Sequence, residues 1–171
     1  APGSYYGEDA YGNNQPNRSV WAVPGLEDYH DSNTNLTEAL TLEAISTIDS
    51  ISNTKGVNLL NVDPGNATNR TVMTFVGDPD SVIEAAYNAI KKASEKIDMS
   101  KHKGEHPRMG ATDVCPLIPV SGVSMKETIK YSKILAKKVG NELNIPVYLY
   151  ENSAQSKERV NLATIRSGEY E

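Results

Sequence analysis

Between Thr71 and Val120 the hydrophobic period of the chain changes twice, and few folds accept that order of changes. Thr71 to Val76 is a β-branched, strand-like run. Val82, Ala85, Ala86, Ala89, Ile90, Ala93 and Ile97 then recur at three- and four-residue steps, as on a helix with a single apolar stripe. After a polar loop, Val114 to Val120 reads as a second strand, expected to be buried. The helix must lay its stripe on the sheet that such strands build.

The alternation extends in both directions. Thr37 is placed to cap a helix reaching about Ser52, with Leu42, Ile45, Ile48 and Ile51 predicted on its inner face. Lys55-Gly56 ends that helix, Val57 to Val62 reads as a strand, and Asp63-Pro64-Gly65-Asn66 is a turn signal. Ser81 and Glu84 stand in capping-box spacing at the head of the central helix. Ser124 and Glu127 repeat that spacing before a helix from Met125 to about Leu143, which turns Ile129, Leu135, Val139 and Leu143 inward. Pro146 to Tyr150 is read as a further strand, and Lys157 to Arg166 as a final helix that stops at Gly168. The pattern predicts an α/β (α+β) fold: a mixed β-sheet with helices packed on one face, close to a ferredoxin-like arrangement.

Residues 1–35 carry no sustained period and are dense in Gly, Asn, Asp, Pro and Tyr. They are expected to be irregular and loosely held, with Ser19 to Val23 as a short edge strand ended by Pro24-Gly25. Residues 36–171 form the expected domain, and a chain of 171 residues suits one core. A net charge of −5 argues against a partner bound through nucleic-acid phosphates. The single cysteine gives no internal disulfide, so a cytoplasmic setting is expected. No apolar run approaches the roughly 18 residues of a membrane-spanning helix, and no membrane partner is expected.

Side chains that carry chemistry gather between Lys101 and Val120. The imidazole of His106 titrates near neutrality, so it can take a proton from an amine nucleophile and return one to a leaving nitrogen. Pro107 restricts the backbone of His106 to extended conformations, which helps to aim the ring. His102 and Glu105 share this constrained loop. The two histidines are four apart, but Gly104 and Pro107 oppose the helix that would bring them onto one face, and no metal is expected. His102 is read as orienting the loop or lining a ligand site. Arg70 and Arg108 can grip carboxylates through paired hydrogen bonds, and Lys101 and Lys103 either assist or form surface pairs. Asp63, Asn69 and Asp113 sit near turns, where they either orient a histidine, bind an amidine or cap the turn. Cys115, in an apolar segment before Pro116, reads as a small buried hydrophobe.

His106-Pro107-Arg108-Met109-Gly110, followed by Asp113-Val114-Cys115-Pro116 and Pro119-Val120, resembles the signature of the glutamate formimidoyltransferases, including the transferase part of formiminotransferase-cyclodeaminase. The resemblance continues through Thr68 to Val72, Thr74 to Gly77, Ile97 to Ser100 and His102 to Glu105. It resumes at Gly122 to Ser124, Ile145 to Tyr150 and Ile165 to Glu171, so it spans roughly residues 56–171. It implies the N-terminal subdomain of the transferase, moving a formimino group from N-formiminoglutamate to tetrahydrofolate in histidine breakdown. His106 matches the position of the family's general base. Arg70, Arg108, Asn69, Asp63, His102 and Glu105 are the implied substrate-binding residues, tetrahydrofolate the co-substrate, and a second C-terminal subdomain and a homo-oligomer the implied partners. The family's first strand and its Pro-Asn-Phe-Ser-Glu-Gly turn are not matched: Asn35 to Ala39 stands at the turn, and Val20 to Val23 is the nearest substitute for the strand. The alternative is a formiminotransferase-like half-module that binds a partner or ligand without catalysing transfer.

Overall fold

The structure is a computed structural model that describes residues 19–22, 25–27, 42–65, 67–107 and 109–168. Among these described residues, six strands form one sheet: β1 Ser19–Ala22, β2 Gly25–Glu27, β3 Val57–Gly65, β4 Arg70–Gly77, β5 Thr112–Val114 and β6 Leu117–Ser121. Three long helices accompany them, α1 Leu42–Ser52, α2 Pro79–Lys96 and α3 Met125–Leu143, with a four-residue helix α4 at Leu162–Ile165. The expected α/β architecture of helices on a sheet is present. Against the mixed sheet expected from sequence, every strand pairing among the described residues is antiparallel.

β4 runs through the middle. It pairs with β3 on one side and with both β1 and β2 on the other, and β6 and β5 extend the sheet beyond β1 and β2. Thr71, Met73 and Phe75 of β4 are buried against the helices, and by strand alternation Arg70, Val72, Thr74 and Val76 turn to the opposite face. Val20 and Ala22 of β1 lie in the same core. Ala85, Ala86, Ala89 and Ala93 let α2 approach the sheet closely, while Val82, Ile90 and Ile97 fill the space between. Truncating Phe75 to alanine would cost about 3–5 kcal/mol.

Several elements depart from expectation for physical reasons. The strand at 19–22 is interior rather than an edge, because β4 and β6 flank it. On α1, Leu42 is 81% exposed and Ile45 42%. Ala44 and Thr47 face inward instead, beside Ile51, which is buried as expected, and the Thr47 hydroxyl is satisfied by donating to the carbonyl of Glu43 at 2.9 Å. Thr37, the expected cap, lies outside the described residues. β3 continues through Asp63, Pro64 and Gly65, each paired across to β4. Proline is tolerated there because, among the described residues, β3 is an edge strand whose outer side needs no donor. The cap of α2 is Asp78, whose carboxylate accepts from the Ser81 amide at 3.1 Å with Pro79 in the first turn, not the expected Ser81 and Glu84.

The Ser124–Glu127 capping box forms as read, and α3 buries Thr128, Leu135 and Val139. The run expected as one buried strand at 114–120 is divided into β5 and β6 at Cys115-Pro116, and Ile118 and Val120 are exposed. Pro146 to Tyr150 takes part in no strand pairing among the described residues, with Val147 and Tyr148 exposed. The expected helix at 157–166 is two short turns, Lys157–Arg159 and α4, the latter capped by the Asn161 side chain.

Candidate functional site

His106 owes its position to a loop bound onto the turn between β3 and β4. Asn69 adopts a left-handed backbone (φ 50°) in that turn, a conformation asparagine tolerates better than most residues. Its side chain is buried, and Nδ2 donates to the carbonyl of Lys103 at 2.9 Å. The amide of Glu105 donates to the carbonyl of Ala67 at 3.2 Å. Buried His102 approaches the carbonyl of Asn69 through Nε2 at 3.1 Å, and since a carbonyl only accepts, Nε2 carries the proton. Gly104 packs so tightly that a Cβ there would stand 2.5 Å from the carbonyl oxygen of Thr68. Four successive points of attachment thus lead the chain into His106.

The ring of His106 lies against Arg70, Asp113 and Arg166. Arg70 Nη1 is 2.8 Å from His106 Nε2, and Nδ1 is 2.9 Å from the carbonyl of Pro107. A guanidinium only donates, so Nε2 accepts and holds the lone pair, while the Nδ1 proton is donated to the Pro107 carbonyl. The imidazole is therefore neutral in this arrangement. Burial is the largest cause pushing its pKa below the usual 6.5, Arg70 adds to the effect, and Asp113 opposes it.

Asp113 binds these groups together. Its carboxylate is 0% exposed and accepts from Arg166 with both oxygens, Oδ1 from Nε at 3.1 Å and Oδ2 from Nη2. Arg70 Nη2 stands 3.4 Å from Oδ2 and His106 Nε2 3.7 Å from it. Arg166 arrives from just beyond α4, 53 residues along the chain. Its backbone position is fixed by its amide donating to the carbonyl of Leu162 at 3.0 Å. A cavity of about 650 Å³ between β5, β6, α3 and the C-terminal segment meets the cluster at Asp113 and Arg166, with Met109, Cys115, Tyr150 and Ile165 also in its lining. Burial pushes the Cys115 thiol and the Tyr150 phenol each up to about 12, so both stay protonated at neutral pH. Two guanidiniums, one carboxylate and a neutral imidazole leave this part of the site positive among the described residues.

Of the residues singled out in the sequence, Arg70, His106 and Asp113 are brought together. Asn69 and His102 hold the loop, and Glu105 contributes its backbone amide while its side chain is exposed. Asp63 is exposed on β3 opposite Val72, and none of the described hydrogen bonds links it to His106. Lys101 pairs with Asp98 at 3.2 Å on the surface, an arrangement worth little. Arg108 lies outside the described residues. Sequence reasoning gave Arg166 no role in the site; the only available signal was its place in the closing Ile165 to Glu171 stretch.

Comparison with known proteins identifies the family. The family model described as the formiminotransferase domain, N-terminal subdomain, matches residues 30–171. The chain is 55% identical over 138 residues to the formimidoyltransferase-cyclodeaminase of Mus musculus, covering 80% of this chain and 26% of that protein. Its counterpart in Dictyostelium discoideum is 46% identical over 155 residues, covering 91% and 27%. The glutamate formimidoyltransferase of Streptococcus pyogenes serotype M1 is 51% identical over 116 residues, covering 68% and 39%. The chain thus spans about a quarter of the length of the first two relatives. By both the extent of the domain match and the identity to these relatives, the chain belongs to the formiminotransferase family, as its N-terminal subdomain.

Proposed function

We propose that this chain is the catalytic N-terminal half of a glutamate formimidoyltransferase, moving a formimino group from N-formiminoglutamate to N5 of tetrahydrofolate. The observation that carries the reading is the neutral, aimed imidazole of His106, with its lone pair on Nε2 beside a guanidinium. In the reaction, N5 attacks the formimino carbon and its proton passes to Nε2. The bond from that carbon to the glutamate nitrogen then breaks, and the proton is returned to the departing nitrogen. The proton count closes with glutamate and 5-formimino-tetrahydrofolate as products. Holding donor and acceptor in line supplies the rest of the acceleration.

The positive charge beside His106 suits the carboxylates of both substrates, with Arg70 as the proposed holder. A second subdomain would close the cleft and could cover exposed Ile118 and Val120. We also read the order β3, β4, β1, β6, with α1 and α2 as crossovers, as the ferredoxin-like arrangement expected from sequence. The direct test is His106→Ala, assayed with the second subdomain supplied. Transfer should fall by about 100-fold to 10,000-fold, the usual contribution of a positioned acid or base. Transfer that survives within about threefold, well short of that range, would remove His106 as the base, whereas no transfer by the parent under the same conditions would favour the non-catalytic half-module.

A further inference from the structure

The group that the proposed reaction needs as a base is covered in this structure. Nδ1 of His106 already carries a proton, donated to the Pro107 carbonyl, so only Nε2 can receive another. That atom accepts from Arg70 Nη1 at 2.8 Å. A proton arriving at Nε2 must first displace a permanent cation.

Three features indicate that Arg70 can leave. Asp113 does not depend on it, since both carboxylate oxygens are taken by Arg166 while Arg70 is held only at 3.4 Å. Arg70 Nε is buried with no hydrogen-bond partner among the described residues, and an unmet buried donor of this kind costs about 1–3 kcal/mol. The Arg70 side chain is 19% exposed, so a short swing brings its donors toward solvent. A carboxylate would offer Nε and Nη two parallel acceptors, which the present pose lacks.

We propose that Arg70 is a ligand-operated cap on His106, covering Nε2 in the empty site and drawn away by the carboxylate of an incoming ligand. The base is then uncovered only when an anionic group is bound. This rests on the reading of His106 as the proton-transfer group and adds the condition under which that group is available. Among the described residues, the charged and titratable groups facing the ring are Arg70 from β4, Asp113 from β5 and Arg166 from beyond α4; Tyr150 and Cys115, next to Asp113 and Arg166, remain neutral. Among these, Arg70 alone is both in contact with Nε2 and without a two-oxygen partner.

The test is a nitrogen NMR titration of the 171-residue chain, labelled at its three histidines, with and without glutarate as a plain dicarboxylate probe. Without glutarate, His106 should be the Nδ1-protonated tautomer with a hydrogen-bonded Nε2. Added glutarate should remove that hydrogen bond and move the midpoint of the His106 titration upward, because the bound carboxylate offsets the cation. In Arg70→Gln the midpoint should already be higher and glutarate should leave it there, while glutarate binding weakens by about tenfold or more. A wild-type titration that does not move with glutarate, whether nothing binds or binding leaves His106 unchanged, overturns the cap. The two readings fail separately, since full transfer by His106→Ala would remove the base assignment without touching this titration.

Discussion

Replacing Asn69 separates two contributions that together hold the loop carrying His106. The residue is 2% exposed, stands at φ 50°, and donates to the Lys103 carbonyl at 2.9 Å. Asn69→Gly keeps the left-handed backbone without strain but leaves that carbonyl unmet, a loss of about 1–3 kcal/mol. Asn69→Ala loses the same hydrogen bond and adds about 1–2 kcal/mol for holding a Cβ in the left-handed region. With a urea slope of about 2 kcal/mol/M, the glycine variant should lower the unfolding midpoint by about 0.5–1.5 M and the alanine variant by about 0.5–1 M more. Urea unfolding of the two variants beside the parent reads both quantities. Hydrogen exchange at the Glu105 amide, which pairs with Ala67 in the same attachment, should quicken in both. Equal midpoints for the two variants would refute the role of the backbone conformation. A glycine variant as stable as the parent, with Glu105 still protected, would refute the attachment itself.

Two further outcomes follow from the charge cluster and its surroundings. Arg166→Ala leaves the buried Asp113 carboxylate with only the longer Arg70 pairing and should cost about 3 kcal/mol, at the low end for a broken buried pair, as read by the same urea unfolding; a loss under about 1 kcal/mol would show that Asp113 does not need Arg166. Cys115, with its thiol pushed up to about 12, has almost no thiolate near neutral pH, so a thiol reagent should label it slowly in the folded chain and quickly in denaturant; equal rates would contradict its placement.

Local chemistry was legible in the sequence and distant pairing was not. The stripe of α2 and the capping box of α3 are written within a few residues, and both are present as read. The inner face of α1 was misjudged because hydrophobicity alone favoured Leu42 and Ile45, whereas close packing of helices favours the smaller Ala44 and Thr47. Whether β1 is an edge or an interior strand depends on β4 and β6, far along the chain, and no local signal reports that. The site divides in the same way. His106 stood out through its loop and its following proline. The residues that set its state, Arg70 and Arg166, reach it or Asp113 across 36 and 53 positions. Asn69 likewise reads locally as a turn residue, and only its bond to Lys103, 34 positions away, makes it a clamp.

The most direct measurement of the central claim is the pH dependence of kcat/KM for formimino transfer, with the second subdomain supplied, for the parent and for His106→Gln. This quantity reports the ionisation of the free enzyme. On the proposed mechanism the neutral imidazole is the active form, so activity should rise with pH through an acid limb. Burial and Arg70 lower the pKa of His106, which places the inflection of that limb below the ordinary 6.5. The limb should disappear in His106→Gln together with most of the activity. A parent profile with no acid limb at any pH where the chain stays folded, or an acid limb that persists unchanged in His106→Gln, would contradict the account.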